Sequence, residues 1–118
     1  MKILIVTAKI PEKFIKEIVA SYMRSKNNTD LSIDVVSSEK PVAALMNKFD
    51  LERVLEKLKQ DLRQYDLIIT PGLLIGDIAE ICGKYSVKCF KGTRFAGDLP
   101  RVIDAIIHGF FHRKRDGF

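Results

Sequence analysis

The chain lacks any apolar run near the roughly 20 residues that would cross a bilayer, so no membrane-spanning segment is expected among its 118 residues. The opening MKILIVT carries a lysine and an apolar stretch. That stretch is short and no small-residue cleavage site follows it, so it predicts a first strand rather than a signal peptide. Cysteine is scarce as well. Cys82 and Cys89 match no paired metal-ligand spacing and fall on a predicted helix and a predicted strand. Two buried free thiols in a reducing cytoplasm are expected from them.

What is present fits one ordinary globular domain. Hydrophobic residues make up 47% of the chain and charged residues 30%, and a chain of this length can bury roughly two thirds of its unfolded surface. The net charge of +5 is partly local, because Arg113, Lys114 and Arg115 face a single carboxylate, Asp116, in the last six residues. A nucleic-acid reader needs a basic face with stacking aromatics. Here Phe14, Phe49, Phe90, Phe110 and Phe111 stand at core-like positions, so neither nucleic acid nor membrane is an expected partner.

Periods of two and of 3.6 residues alternate along the chain. Ile3 to Val6 is a continuous apolar strand of the kind buried on both faces. Phe14, Ile15, Ile18, Val19, Tyr22 and Met23 form a broad helical stripe that ends in Lys26, Asn27 and Asn28. Leu31 to Val36 predicts the second strand, and Pro41 to Asn47 is apolar without a clear period. Asp50 is the expected N-cap of a helix carrying Leu51, Val54, Leu55, Leu58 and Leu62. Asp66 to Thr70 predicts a third strand, Gly76 to Lys84 a helix with Ile78, Ile81 and Cys82 inward, and Val87 to Phe90 a fourth strand. The last helix is expected to start near Pro100, with Val102, Ile103, Ile106 and Ile107 on one side.

The order βαβαβαβα requires crossover connections, so a single three-layer, doubly wound α/β domain follows, with a mainly parallel sheet of about four strands, flavodoxin-like or Rossmann-like. It is expected over residues 1–110, with a basic C-terminal tail at 111–118. Ligands in such folds bind beyond the carboxyl ends of the strands, where strand order reverses. The loops that matter are therefore Thr7 to Pro11, Ser37 to Pro41, Thr70 to Asp77 and Lys91 to Leu99.

Absences in those loops exclude several chemistries. TAKIPEK has no glycine, so it cannot make the glycine-rich turn of a dinucleotide site, and Pro11 removes an N–H that a flavodoxin phosphate loop would use. Thr7 and Thr70 stand where a phosphorelay receiver needs acidic residues, and the P-loop pattern is missing. No nucleophile has a recognisable base beside it, and Thr7, Thr70 and Thr93 have no histidine near them in the expected fold. His108 and His112, with Asp104 one turn earlier, have a spacing that can bind metal, but no third ligand is evident, so a solvent-facing or partner-facing stripe is expected.

TPGLLIGDIA and KGTRFAGDLP remain, two loops that each bring glycine and aspartate to the start of a helix. Asp77 and Asp98 are expected to cap or complement first-turn N–H groups. Lys91 and Arg94, with Lys9 nearby, are a candidate cationic rim for phosphate or carboxylate. The candidate ligand-binding set is Lys9, Gly72, Gly76, Asp77, Lys91, Gly92, Thr93, Arg94 and Asp98. A stand-alone small enzyme or binding protein for an anionic or phosphorylated metabolite is one reading of that set.

PVAALM at 41–46, PGLLIGDIA at 71–79 and KGTRFAGDLPRVID at 91–104 occur in this order and spacing. On these motifs the chain resembles the N-terminal domain of the archaeal dihydropteroate synthase-like proteins, over nearly its whole length. The resemblance implies a domain that precedes a pterin-binding barrel, in biosynthesis of a folate-like C1 carrier such as tetrahydromethanopterin. It also implies a noncatalytic accessory role, with that barrel as partner domain or partner chain. No cofactor is implied in this chain itself, a pterin phosphate being reached only through the barrel. The sequence stops after HGFFHRKRDGF, where the barrel is expected to begin, and self-association into a homodimer is a further reading of its partners.

Overall fold

A computed structural model describes the backbone of residues 1–26 and 30–115 and the side chains of these up to residue 109. Four strands and four helices alternate: β1 (Lys2–Thr7), α1 (Glu12–Lys26), β2 (Ser32–Ser37), α2 (Lys48–Lys57), β3 (Leu67–Thr70), α3 (Ala79–Lys84), β4 (Cys89–Lys91) and α4 (Leu99–Arg115). Short 3-10 turns at Ala43–Leu45, Leu62–Gln64 and Ala96–Asp98 lie between them. The strands form one parallel sheet in the order β2-β1-β3-β4. This is the doubly wound α/β architecture expected from the sequence.

The period of two in β1 divides the core. Leu4 and Val6 belong to a cluster with Leu51, Leu55 and Ile81 of α2 and α3. Ile3 and Ile5 belong to a second cluster with Ile15 and Val19 of α1 and Leu99 and Ile103 of α4. The chain moves from β1 out to β2, then returns past β1 to β3 and β4. With right-handed crossovers, that reversal sends α1 to one face and α2 and α3 to the other. Among the described residues no helix is long and apolar enough to cross a membrane.

Several local expectations are corrected. The N-cap of α2 is Asn47 and not Asp50: the Asn47 side chain accepts from the N–H of Phe49 at 2.9 Å and of Asp50 at 3.3 Å. Asp50 answers by accepting from the Asn47 N–H at 2.9 Å, which completes a capping box with aspartate in the glutamate position. The apolar period begins only at Leu51, one turn inside the helix, and so placed the start too late. Asp50 is buried and is held by Arg53 at 2.8 Å. At the other end, α2 stops at Lys57 and Leu62 sits in the separate turn Leu62–Gln64, because Leu62 reaches the core without the helix continuing. Helix α3 is likewise shorter than expected, starting at Ala79 rather than Gly76, since Gly76 takes a φ of 106° that no helix residue adopts.

Phe14, Phe49 and Phe90 are exposed rather than in the core. Phe14 lies on the outer margin of the α1 stripe, and Phe90 is on an edge strand that the helices cover incompletely. Phe110, Phe111 and His112 have side chains outside the described residues, as do Asn27 and Asn28. Helix α4 continues to Arg115, into the segment expected as a basic tail.

Cys82 and Cys89 are not free thiols but form a disulfide, with Cα atoms 6.1 Å apart. The inward face of α3 sits beside the start of β4, and the turn between them is closed by Val87 N–H donating to Cys82 O at 3.0 Å and by Ser86 at positive φ. The cysteines therefore give no reason to place the protein in a reducing compartment. The bond closes a loop of sequence separation 7, for which chain entropy predicts a stabilisation of about 2 kcal/mol. Denaturant unfolding with and without reductant should differ by about that amount. Two thiols reacting with a thiol reagent in the native, unreduced protein would overturn the assignment.

Candidate functional site at the carboxyl edge of the sheet

Strand order reverses between β1 and β3, and the crevice beyond their carboxyl ends is where such folds place ligands. Both strands end on a buried threonine, Thr7 and Thr70. The loops above them are tied together through backbone hydrogen bonds. Lys9 and Ile10 donate to the carbonyls of Lys40 and Pro41 at 2.8 and 3.0 Å, and Ile75 donates to Met46 at 2.9 Å. Gly72 donates to Thr93 at 3.2 Å and Gly92 to Thr70 at 2.7 Å. The three motifs PVAALM, PGLLIGDIA and KGTRFAGDLPRVID thus meet at one end of the molecule.

The glycines there allow close approach. A Cβ on Gly72 would lie 2.5 Å from the Gly92 carbonyl oxygen and 2.8 Å from the Thr93 carbonyl. A Cβ on Gly92 would lie 3.0 Å from both Ile69 and the Thr70 carbonyl oxygen. Two backbones pass each other where no side chain fits. Their N–H groups are consumed in the same contact, so these glycines do not present a cradle of free donors of the kind that binds phosphate.

A cavity of about 190 Å³ opens at this point. Its walls are mainly aliphatic, with Ile5, Ile15, Ile69 and Leu99 among them, and Arg94 is the one charged residue of the lining among those described. Thr70 also lines it. Its hydroxyl oxygen is buried and has no hydrogen-bond partner among the described residues, although a buried polar atom left unpaired costs about 1–3 kcal/mol.

The sequence-derived candidates divide on this geometry. Gly72, Gly92, Thr93 and Arg94 line the cavity; Lys9, Gly76, Asp77, Lys91 and Asp98 do not. Lys91 instead donates from Nζ to Leu74 O at 2.8 Å, tying β4 to the loop after β3. Asp77 accepts from the Ala79 N–H at 2.9 Å at the head of α3, the capping role expected for it. Asp98 lies in the turn Ala96–Asp98 just ahead of α4. The Thr93 hydroxyl donates to the Phe95 carbonyl. Arg94 pairs with neither Asp77 nor Asp98. Asp104, considered with His108 as a metal ligand, accepts from the Tyr22 hydroxyl at 2.7 Å and faces Lys26 at 3.3 Å. Those two partners, Tyr22 foremost, hold its carboxyl below the usual carboxylate range.

Sequence reasoning missed Thr7 and Thr70 as members of the site. The signal was there: IVT and IIT are matching apolar runs that each close on a hydroxyl at a strand's carboxyl end.

The glycine contact gives a stability prediction. Gly72→Ala should destabilise the fold by about 2 kcal/mol or more, because backbone has to move to admit the methyl group. Gly83→Ala, in α3 with nothing within 4 Å of the new Cβ, should instead stabilise by about 0.5–1 kcal/mol. Chemical denaturation of the two variants checks both signs.

Over 109 residues the chain is 33% identical to an uncharacterized protein of Methanocaldococcus jannaschii, a match covering 88% of this chain and 19% of that protein. The chain therefore spans about a fifth of the length of the relative it matches. No family model matches the chain. No solved structure matches it either.

Proposed function

We propose that this chain is a noncatalytic accessory domain that docks, by the carboxyl edge of its sheet, on a partner domain or chain, the pterin-binding barrel that the sequence resemblance implies. One observation carries the reading. Ile10, Val42, Leu45, Leu73, Ile75 and Phe95 are all exposed, and all lie in the connections that leave the carboxyl ends of the four strands for the next helix. Exposed apolar residues scattered singly need no explanation, but a collection at one end of a small domain marks a contact surface. Phe95 and Ile10 are each 71% exposed, which is costly in water and favourable in an interface.

The length of the relative supports the same reading, since the matched segment there accompanies a far longer chain. Through the partner, the pathway is that of a folate-like C1 carrier such as tetrahydromethanopterin, and any pterin phosphate belongs to the barrel rather than to this domain.

The test is titration of this domain with the remainder of the Methanocaldococcus jannaschii relative, expressed as a separate chain, by calorimetry. Saturable binding is expected, and Leu45→Asp or Phe95→Asp should weaken it at least about tenfold, as for truncation of a buried apolar anchor. Both sites are exposed, so thermal unfolding of the variants should match the parent. No binding at the highest soluble concentration, or binding indifferent to both substitutions, would sink the reading.

A further inference from the structure

We infer that the cavity between the ends of β1 and β3 is a binding site for a small organic carboxylate with a mainly hydrocarbon body. The inference stands apart from docking and needs no partner.

Size comes first. A cavity of about 150 Å³ accepts one benzene-sized molecule, so the present 190 Å³ suits a ligand of about six to ten heavy atoms. Lining chemistry comes second. Ile5, Ile15, Ile69 and Leu99 offer an apolar wall, which would reject a densely charged ligand because a buried charge needs a partner for each face it presents. Arg94 offers one guanidinium, whose planar fork matches a carboxylate in two parallel hydrogen bonds. It forms no ion pair within the protein among the described residues.

The third observation is a buried polar group that the fold leaves over. Thr70 lines the cavity at 1% exposure, and its buried hydroxyl has no hydrogen-bond partner among the described residues. A second polar atom on the ligand, or an ordered water brought with it, would complete that hydroxyl. Phosphate is disfavoured by the same structure. Tight phosphate sites draw on several backbone N–H groups, and here the Gly72 and Gly92 N–H groups already donate to Thr93 O and Thr70 O. Lys91, the other cation of the loop, is turned to Leu74 O.

The experiment uses the whole chain, isotope-labelled, in two-dimensional amide NMR. Benzoate and hexanoate serve as carboxylate probes, benzamide as the uncharged control, and inorganic phosphate as the competing anion. Saturable shifts from both carboxylates, concentrated at Thr70, Gly72, Gly92 and Arg94, are expected. Arg94→Gln should weaken benzoate at least about tenfold while leaving benzamide within about twofold, the difference set by the lost charge-assisted pair. Thr70→Val keeps the shape and removes the unpaired hydroxyl, so the unliganded variant should melt no lower than the parent.

Three results would overturn the inference: no saturation by either carboxylate, equal benzoate affinity in Arg94→Gln, or phosphate producing the same shifts at lower concentration. A Thr70→Val variant that melts lower would show that the hydroxyl has a partner already, which removes the argument for a ligand there. Failure of docking would leave all of these readings unaffected.

Discussion

A strand buried on both faces is the constraint from which this structure follows. Ile3, Leu4, Ile5 and Val6 of β1 are almost wholly enclosed, and since alternate side chains of a strand point to opposite faces, neither face can be left to water. Two apolar layers are therefore required, and the helices supply them in pairs, α1 with α4 and α2 with α3. A lone hairpin or a single-layer sheet would leave half of β1 exposed. Handedness does the rest: to cover both faces with right-handed crossovers, the chain has to reverse its direction across the sheet, and the reversal falls beside β1.

The reversal creates the site. Connections leaving β1 and β3 depart to opposite faces, so a gap opens between their carboxyl ends that neither connection fills. The loops close over that gap by backbone pairing, from Lys9 and Ile10 through Pro41 and Met46 to Ile75, and from Gly72 to Thr93. Because most of the pairing is between backbones, with the Lys91 ammonium on the Leu74 carbonyl as a side-chain tie, the apolar side chains at this end are not needed to hold the loops. That is why Ile10, Leu45, Ile75 and Phe95 can stand in solvent without loosening the structure.

Element type and order were legible in the sequence because hydrophobic period is a property of the elements themselves. The continuous apolar run of MKILIVT and the period of 3.6 in FIKEIVASYM report the same burial that the fold displays. The four loops at the carboxyl edge were legible for the same reason, since topology alone names them. Features made by contacts between distant segments were not. The Asn47 cap lies a turn ahead of the first buried apolar residue of its helix, the disulfide depends on where α3 passes β4, and the exposure of Phe14 and Phe90 depends on how far the helices reach. None of these has a period.

KGTRFAGD shows most plainly how composition can suggest one chemistry and geometry deliver another. Two glycines, two cations and an aspartate before a helix have the composition of an anion loop. Gly92 is instead required by distance, since a Cβ there would press on Ile69 and the Thr70 carbonyl, and its N–H is spent in drawing β4 toward β3. Lys91 is spent on the Leu74 carbonyl, and Thr93 on Phe95. Subtracting each group already committed to the fold leaves Arg94 above an aliphatic cavity with the Thr70 hydroxyl on its wall. A loop's chemistry is what remains after its own folding has drawn on it, and here the cation that remains is the exposed Arg94, at an aliphatic cavity that the buried Thr70 also lines.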